Sequence, residues 1–181
     1  MKCIIPHKKY KLLKEEEQEV LYIPSLDLFG GWNNLQEFLK RRGNPPYSIG
    51  GDLYLRGVSV KSLGNLISVN GNLNLFDIPI ESLGNLTSVG GTFNLVGVTI
   101  KSLGNLTSVG GGLNLFRIPI ESLGNLTSVG GNLFLGNTQI ESLGNLILVG
   151  RSLDLEGTPL KKKYSEKQIR DMVEVGGKIH L

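Results

Sequence analysis

The sequence has few of the residues on which catalytic and metal sites depend. It contains one cysteine, Cys3, and two histidines, His7 and His180, which lie at opposite ends of the 181-residue chain. One cysteine cannot close an internal disulfide, which favours a reducing, cytoplasmic location. No cysteine, histidine and carboxylate residues stand at metal-ligand spacing, and no glycine pair precedes the helix of a phosphate loop. We therefore expect no cofactor, no metal site, no catalytic residues and no enzymatic activity.

Long apolar runs and a concentrated charge of one sign are also missing. No stretch approaches the roughly 20 apolar residues of a membrane helix, and Pro6 and His7 interrupt the apolar start that a secretion signal needs. Residues 1–48 and 161–181 carry 14 basic and 9 acidic residues, whereas residues 49–160 carry 5 and 7. A nucleic-acid binder should place a basic stripe on its main surface. We therefore expect no membrane contact, and nucleic acid only as a weak, salt-sensitive alternative at Lys8–Lys14 and Lys161–Lys163.

A 20-residue repeat accounts for most of what the chain does contain. Ser-Leu-Gly-Asn-Leu begins at Ser62, Ser82, Ser102, Ser122 and Ser142, and glycine reaches 25 residues. Alternation of Leu73 and Leu75 predicts a strand whose leucines share one face. One unit cannot bury its apolar side chains alone, so the units should stack. The sequence predicts a β-rich solenoid with a parallel sheet of about eight strands and irregular or 3-10 return loops.

Three finer patterns run through the repeats. The Gly-Gly pair before each strand predicts a corner that needs positive φ or a close backbone approach, and the asparagines from Asn65 to Asn145 predict a buried ladder at a turn. Charges alternate along the stack, so that opposite charges should face each other between neighbouring coils: Lys61, Glu81, Lys101, Glu121, Glu141 and Lys161. Phe-x-Ile-Pro-Ile-Glu recurs at 76–81 and 116–121, which suggests a duplication unit of 40 residues.

The two ends of the chain depart from the repeat and predict caps. Residues 1–48 should form an N-terminal cap with a strand or hairpin, for which Val20–Ile23 is favoured, and a short helix over 32–42. Ser25–Gly30 resembles Ser152–Gly157, which predicts that Leu26 and Leu28 lie in the first strand of the sheet. Residues 49–160 hold the repeats. Residues 161–181 should form a C-terminal cap with a short helix within Ser165–Val173 and a final strand.

The unit LxLxxxxIxSLGNLTSVGG resembles the short leucine-rich repeats, particularly the variants in receptor L domains with their V-x-G-x-L motif. It departs from the usual spacing by an added glycine, and Ile78, Val98 and Ile118 stand where that motif has asparagine. The repeats are also similar to those of uncharacterised bacteriophage and large-DNA-virus proteins. The resemblance, which covers about residues 25–181, implies a recognition function and adds a virion to the expected locations.

The outward side of the predicted strands is the candidate binding face. It carries one row from each strand and a second row two residues further on: Tyr54, Asn74, Asn94, Asn114, Phe134 and Asp154, then Phe76, Val96 and Phe116. If the alternation continues, the second row forms an apolar stripe of the kind found in protein interfaces. If the chain bends after Leu75, the two phenylalanines enter the core instead. Asp77 and Arg117 are expected to be simple surface charges.

Two functions follow from this face. The first is a non-enzymatic protein-binding module that presents a rigid sheet surface to a protein partner. The alternative is a structural or self-assembling component of a larger complex such as a virion, which uncapped sheet edges would favour. Ice binding requires flat threonine ladders, and the mixed row from Tyr54 to Asp154 argues against it.

Overall fold

The structure is a computed structural model that describes residues 19–181, and it shows a parallel β-solenoid of about 5 turns with a spacing of about 20 residues. Its strands form two parallel sheets of eight and seven strands. The eight-stranded sheet contains β1 (Leu21–Ile23), β2 (Tyr47–Ile49), β4 (Leu66–Val69), β6 (Ser88–Val89), β8 (Ser108–Val109), β10 (Ser128–Val129), β12 (Leu148–Val149) and β14 (Glu174–Val175). The seven-stranded sheet contains β3 (Leu53–Tyr54), β5 (Leu73–Asn74), β7 (Phe93–Asn94), β9 (Leu113–Asn114), β11 (Leu133–Phe134), β13 (Leu153–Asp154) and β15 (Ile179–His180).

The prediction of one sheet is therefore wrong, because the eight-stranded sheet comes from a segment that shows no strand alternation. Leu86 and Val89 are both buried, and the two residues between them, Thr87 and Ser88, are half-buried and lie toward the outside. Two consecutive outward residues break the period of two by which a strand is recognised in sequence. These segments become strands because each pairs in register with the same segment of the neighbouring coil.

The core is a continuous column of apolar side chains enclosed by the coils. Each of the three central repeats contributes seven inward apolar residues that are 0–3% exposed, as in the coil with Leu73, Leu75, Ile78, Ile80, Leu83, Leu86 and Val89. Burial of such a side chain contributes about 1.5–3 kcal/mol before the loss of conformational entropy. Phe93 takes the place of a leucine in one coil and is fully buried there.

The Gly-Gly corners are explained by close approach rather than by backbone conformation. A Cβ atom on Gly111 would lie 2.7 Å from the carbonyl carbon of Gly91 and 2.8 Å from the nitrogen of Thr92. Neither residue of the Gly110–Gly111 pair has positive φ. A side chain at Gly111 would hold two coils apart, which accounts for the glycine there.

Helices close both ends of the solenoid. Helix α1 (Trp32–Lys40) lies within the predicted 32–42 and buries Trp32, Leu35 and Leu39 against the N-terminal end of the core. The segment Leu26–Phe29 is a 3-10 helix and not the predicted strand, so the seven-stranded sheet begins one coil later. The hydroxyl of Ser25 caps this helix by accepting from the nitrogen of Asp27, and Gly30 ends it at φ 68°. The caps at Ser25 and Gly30 therefore favour a 3-10 helix, although the alternation of Leu26 and Leu28 predicts a strand.

The C-terminal end carries two helices where the sequence predicts one. Helix α2 (Pro159–Lys163) was not predicted, and helix α3 (Glu166–Met172) lies within the predicted Ser165–Val173. The guanidinium of Arg170 in α3 donates to the carbonyl oxygens of Val175 and Gly177, both at 3.0 Å. These bonds satisfy carbonyl groups at the outer edge of β14 that have no further strand to pair with among the described residues.

Neighbouring coils approach each other alternately, which supports the predicted 40-residue unit. Along the side that carries Ser-Leu-Gly-Asn-Leu, backbone bridges join Ser62 to Ser82 and Ser102 to Ser122. The same coils are joined by ion pairs, Lys61–Glu81 at 3.0 Å and Lys101–Glu121 at 2.8 Å. The predicted charge pairing is thus observed in these two coil pairs.

Two finer expectations on this side are wrong. Glu141 pairs with Lys163 at 2.7 Å and not with Lys161; both lysines lie in helix α2, which replaces the irregular loop of the repeats here. The asparagine ladder is not buried, since Asn85, Asn105, Asn125 and Asn145 are exposed. A side-chain bond of 3.0 Å joins Asn85 to Asn65.

Candidate functional site

The first row of the candidate face is continuous in the structure. Parallel pairing places Tyr54 beside Asn74, and then each of the following residues beside the next: Asn94, Asn114, Phe134 and Asp154. The apolar residues on either side of each row residue, all leucines except Phe93, are buried, so this row lies on the outer face of the seven-stranded sheet. Tyr54 is 56% exposed and Phe134 is 39% exposed.

The second row also lies on the surface. Phe76 is 37% exposed, and Val96 and Phe116 are half-buried, so neither phenylalanine belongs to the core. A Cβ atom on Gly136 would lie 3.0 Å from the Phe116 ring, which shows that this ring leans over the glycine of the next coil. The second alternative for these residues, a bend that takes the rings inward, does not occur.

The row asparagines hold the turn that follows each strand. The side-chain oxygens of Asn74, Asn94 and Asn114 accept from the backbone nitrogens of the residues two positions on, at 2.9, 3.1 and 3.1 Å. Asp154 makes the same bond to Glu156 at 3.0 Å. The asparagines therefore have a structural role. The sequence analysis placed them only on a binding face.

Two arginines belong to this face, and the sequence analysis missed their role. The guanidinium carbon of Arg56 lies 6.0 Å from the centre of the Phe76 ring, and that of Arg117 lies 4.8 Å from the Phe116 ring. Within residues 19–181 neither arginine forms an ion pair. Their positions in the repeat could have indicated this role, because Arg56 is the repeat equivalent of Phe76 and Arg117 follows Phe116 directly.

The acceptor groups at the N-terminal end of the face are occupied. One carboxylate oxygen of Asp52 accepts from the backbone nitrogen of Asn72 at 2.7 Å, and the other accepts from the hydroxyl of Tyr54 at 2.7 Å. The bond from the Asn72 backbone, followed by that from Tyr54, lowers the pKa of Asp52. The bond to Asp52 raises the pKa of Tyr54. Asp52 is therefore ionised and its charge is already solvated by the protein.

The eight-stranded sheet carries a threonine row that the sequence analysis did not find. Thr87, Thr107 and Thr127 lie in successive coils, and each hydroxyl donates to a carbonyl oxygen of the preceding coil at 2.9–3.0 Å. The hydroxyls therefore join coils, and Ile67 and Ile147 occupy the same position on either side. The argument against ice binding considered only the row from Tyr54 to Asp154 and did not include these threonines. Their three hydroxyls are bonded within the protein and do not support that function.

The described residues present no other chemical centre. Among residues 19–181 no three histidine, cysteine, aspartate or glutamate side chains are grouped to hold a metal ion. No helix in that part of the chain is long and apolar enough to span a membrane. Cys3, His7 and Lys8–Lys14 lie outside the described residues.

Comparison with known proteins adds no relative. No family model matches the sequence, and neither the curated proteins nor the solved structures contain a match.

Proposed function

We propose that this protein is a non-enzymatic protein-binding module whose binding surface is the outer face of the seven-stranded sheet. The observation that carries the proposal is the exposure of Tyr54, Phe76 and Phe134 on one continuous face, at 56%, 37% and 39%. Exposed aromatic side chains grouped with arginine are typical of the energetic centres of protein interfaces. A contiguous exposed apolar surface also favours a partner that covers it.

The rigidity of the face supports the same function. Every residue of the first row lies between two buried apolar residues, and the three asparagines fix the backbone that follows their strands. A surface that is ordered before binding loses little conformational entropy when a partner binds. The partner then meets aromatic groups whose positions are already set.

We propose further that the solenoid is a variant of the leucine-rich-repeat type, related to the phage and large-DNA-virus repeats that it resembles. The support is the Leu-x-Leu strand, whose two leucines are buried in every repeat from Leu53 to Leu155 except the one in which a buried Phe93 replaces the first leucine. The repeat departs from the usual motif by an added glycine. The strands of the second parallel sheet end directly before the corner that contains this glycine. A reducing cytoplasmic location, with a virion as the alternative, remains the expectation from the single cysteine and this resemblance.

A structural role in a larger assembly is the alternative function, and the C-terminal edge bears on it. End-to-end assembly would use unpaired backbone groups of the last coil. The carbonyl oxygens of Val175 and Gly177 are instead occupied by Arg170. This capping closes the end of the eight-stranded sheet, whereas β15 at the end of the seven-stranded sheet has one strand neighbour, β13, among the described residues. The mass of the purified protein in solution distinguishes the two functions.

Affinity capture with matched variants tests the proposed function. The face variant is Phe76→Ser/Phe116→Ser, and the control is Ile147→Ser/Met172→Ser. In the control, two exposed apolar residues outside the candidate face are changed, of which Ile147 is 66% exposed and Met172 is 46% exposed. Circular dichroism first establishes that both variants are folded.

We expect one protein to bind the wild type and the control and to be lost from the face variant. Equal capture by all three forms would move the binding surface away from this sheet. Capture of nothing, together with a wild-type mass of several chains, would favour the structural role.

A further inference from the structure

We propose that the part of the face between Arg56 and Arg117 binds an extended acidic segment of the protein partner. The inference rests on the proposed function and specifies the chemistry of the ligand. It is carried by the polarity of the face, because the groups that remain free to bind there are hydrogen-bond donors, positive charges and apolar surface. We refer to Asn74, Asn94 and Asn114 as the amide row.

The orientation of the amide row follows from the bonds that it makes. A backbone N–H can only donate, so the side-chain atom that accepts from Phe76, Val96 or Phe116 must be the oxygen. The –NH2 group of each amide then points away from that bond. Within residues 19–181 these three –NH2 groups donate to no other residue. Three successive coils thus present free donors about 4.8 Å apart.

Positive charge lies at both ends of the amide row. Arg56 and Phe76 stand in equivalent positions of neighbouring coils, and Arg117 follows Phe116 two coils further along. Stacking over the phenylalanine rings holds each guanidinium close to the face while its N–H groups remain able to bind an anion. A carboxylate placed over either ring would receive charge-assisted hydrogen bonds.

The acidic residues around this stretch limit where the ligand can lie. Asp52 at the near end keeps its negative charge, although its oxygens are occupied by bonds from Asn72 and Tyr54. Asp154 and Glu156 at the far end of the face would also repel an anion. Asp77 is exposed in the adjoining turn beside Gly97 and opposes binding. The favourable stretch therefore spans four coils, from Arg56 to Arg117.

The spacing defines the ligand further. Four coils are three steps of about 4.8 Å, or about 14 Å, which an extended chain covers in roughly four residues. Carboxylates four residues apart can therefore reach Arg56 and Arg117 together. Side chains of an extended chain alternate between its two faces. An apolar side chain midway between the two carboxylates would therefore face the protein and contact Val96.

Other occupants fit this stretch less well. A second copy of the chain that docks through the same face would bring the same donors and the same positive charges against it. A nucleic acid offers acceptors, but its dense phosphates need many cations, and here two arginines stand among acidic neighbours. The acidic peptide is the occupant that the charges favour.

Fluorescence anisotropy with a labelled peptide, Glu-Thr-Val-Thr-Glu, tests the proposal on the full chain. The control peptide is Gln-Thr-Val-Thr-Gln, which keeps shape and apolar content, and labelled oligo-dT is the nucleic-acid probe. We expect the glutamine peptide to bind at least about tenfold more weakly. The two peptides differ only in the charge of their end residues, and that charge is what the arginines recognise.

Protein variants then locate the site. Arg56→Gln and Arg117→Asn should each weaken glutamate-peptide binding about three- to tenfold. Asparagine suits position 117 because Asn137 has φ 57° in the equivalent position, close to the 59° of Arg117. Asp77→Asn should strengthen binding, and Arg151→Gln, which removes an exposed arginine outside the stretch, should leave it unchanged.

Several results would overturn the proposal: no glutamate-peptide binding, equal binding of the two peptides, an equal loss in Arg151→Gln, or tighter binding of oligo-dT. If the peptide tests fail while the partner captured above is still lost from Phe76→Ser/Phe116→Ser, only the acidic chemistry is wrong. If that capture also becomes independent of the two phenylalanines, the proposed function fails with it.

Discussion

Five glycines with the same sequence neighbours should respond differently to the same substitution. Gly64, Gly84, Gly104, Gly124 and Gly144 each stand in Ser-Leu-Gly-Asn-Leu and have φ of 58–60°. A Cβ atom on Gly84 would lie 2.7 Å from the nitrogen of Gly64, and one on Gly124 would lie 2.9 Å from the nitrogen of Gly104. A Cβ atom on Gly64, Gly104 or Gly144 would meet nothing within 4 Å. We predict an alternating loss of stability along the stack.

The magnitudes follow from two separate costs. Alanine at positive φ costs about 1–2 kcal/mol at each position. At Gly84 and Gly124 the added methyl must also separate two coils, and forcing atoms into a packed site costs about 1–3 kcal/mol. We therefore expect Gly104→Ala to lower the free energy of unfolding by about 1–2 kcal/mol. Gly124→Ala should lower it by about 2–5 kcal/mol.

Urea unfolding measures the difference, with Gly104→Ala as the matched control for Gly124→Ala. Far-ultraviolet circular dichroism follows the coils, and fluorescence of Trp32, the single tryptophan, follows the N-terminal cap. Coincident transitions would show that one free energy of unfolding describes the chain. Equal losses at Gly104 and Gly124, or a larger loss at Gly104, would refute the alternating approach of the coils.

Three further predictions concern charge and capping. Because the pKa of Asp52 is lowered in the folded state, this group stabilises the fold above its unfolded pKa of about 3.9, and the contribution is lost as pH falls through the folded value. Asp52→Asn should therefore lose less stability in acid than the wild type, and identical acid titrations of the two proteins would contradict this. Arg170→Ala should cost about 1–3 kcal/mol and speed amide hydrogen exchange in β14, since two carbonyl oxygens lose a charged donor; unchanged protection would show that α3 closes the edge without it. Lys101→Gln should lower stability only slightly, because Lys101 and Glu121 are 72% and 57% exposed, and the loss should vanish in about 0.5 M NaCl; a large or salt-independent loss would refute it.

The stacked solenoid could be predicted from the sequence because its determinants are local and repeated. Leucines such as Leu73 and Leu75 recur at a fixed interval, and no single unit can bury them, so stacking is the one arrangement that removes all of them from water. The pairing of Lys61 with Glu81 followed from the same period. The helix around Leu35 and Leu39 was visible for the same reason, since its apolar spacing is a property of the segment itself.

The second sheet, the alternating coils and the donor character of the face depended on tertiary structure. Ser88 and Val89 become a strand only because the neighbouring coils pair with them. Gly84 and Gly104 have identical neighbours in sequence, and which of them is crowded depends on how the coils lean. The –NH2 group of Asn94 is left free because the side-chain oxygen accepts from the backbone nitrogen of Val96, and composition does not reveal that bond. Periodicity in the sequence determines which side chains stack, whereas the spacing and orientation of the stacked groups arise from contacts between coils.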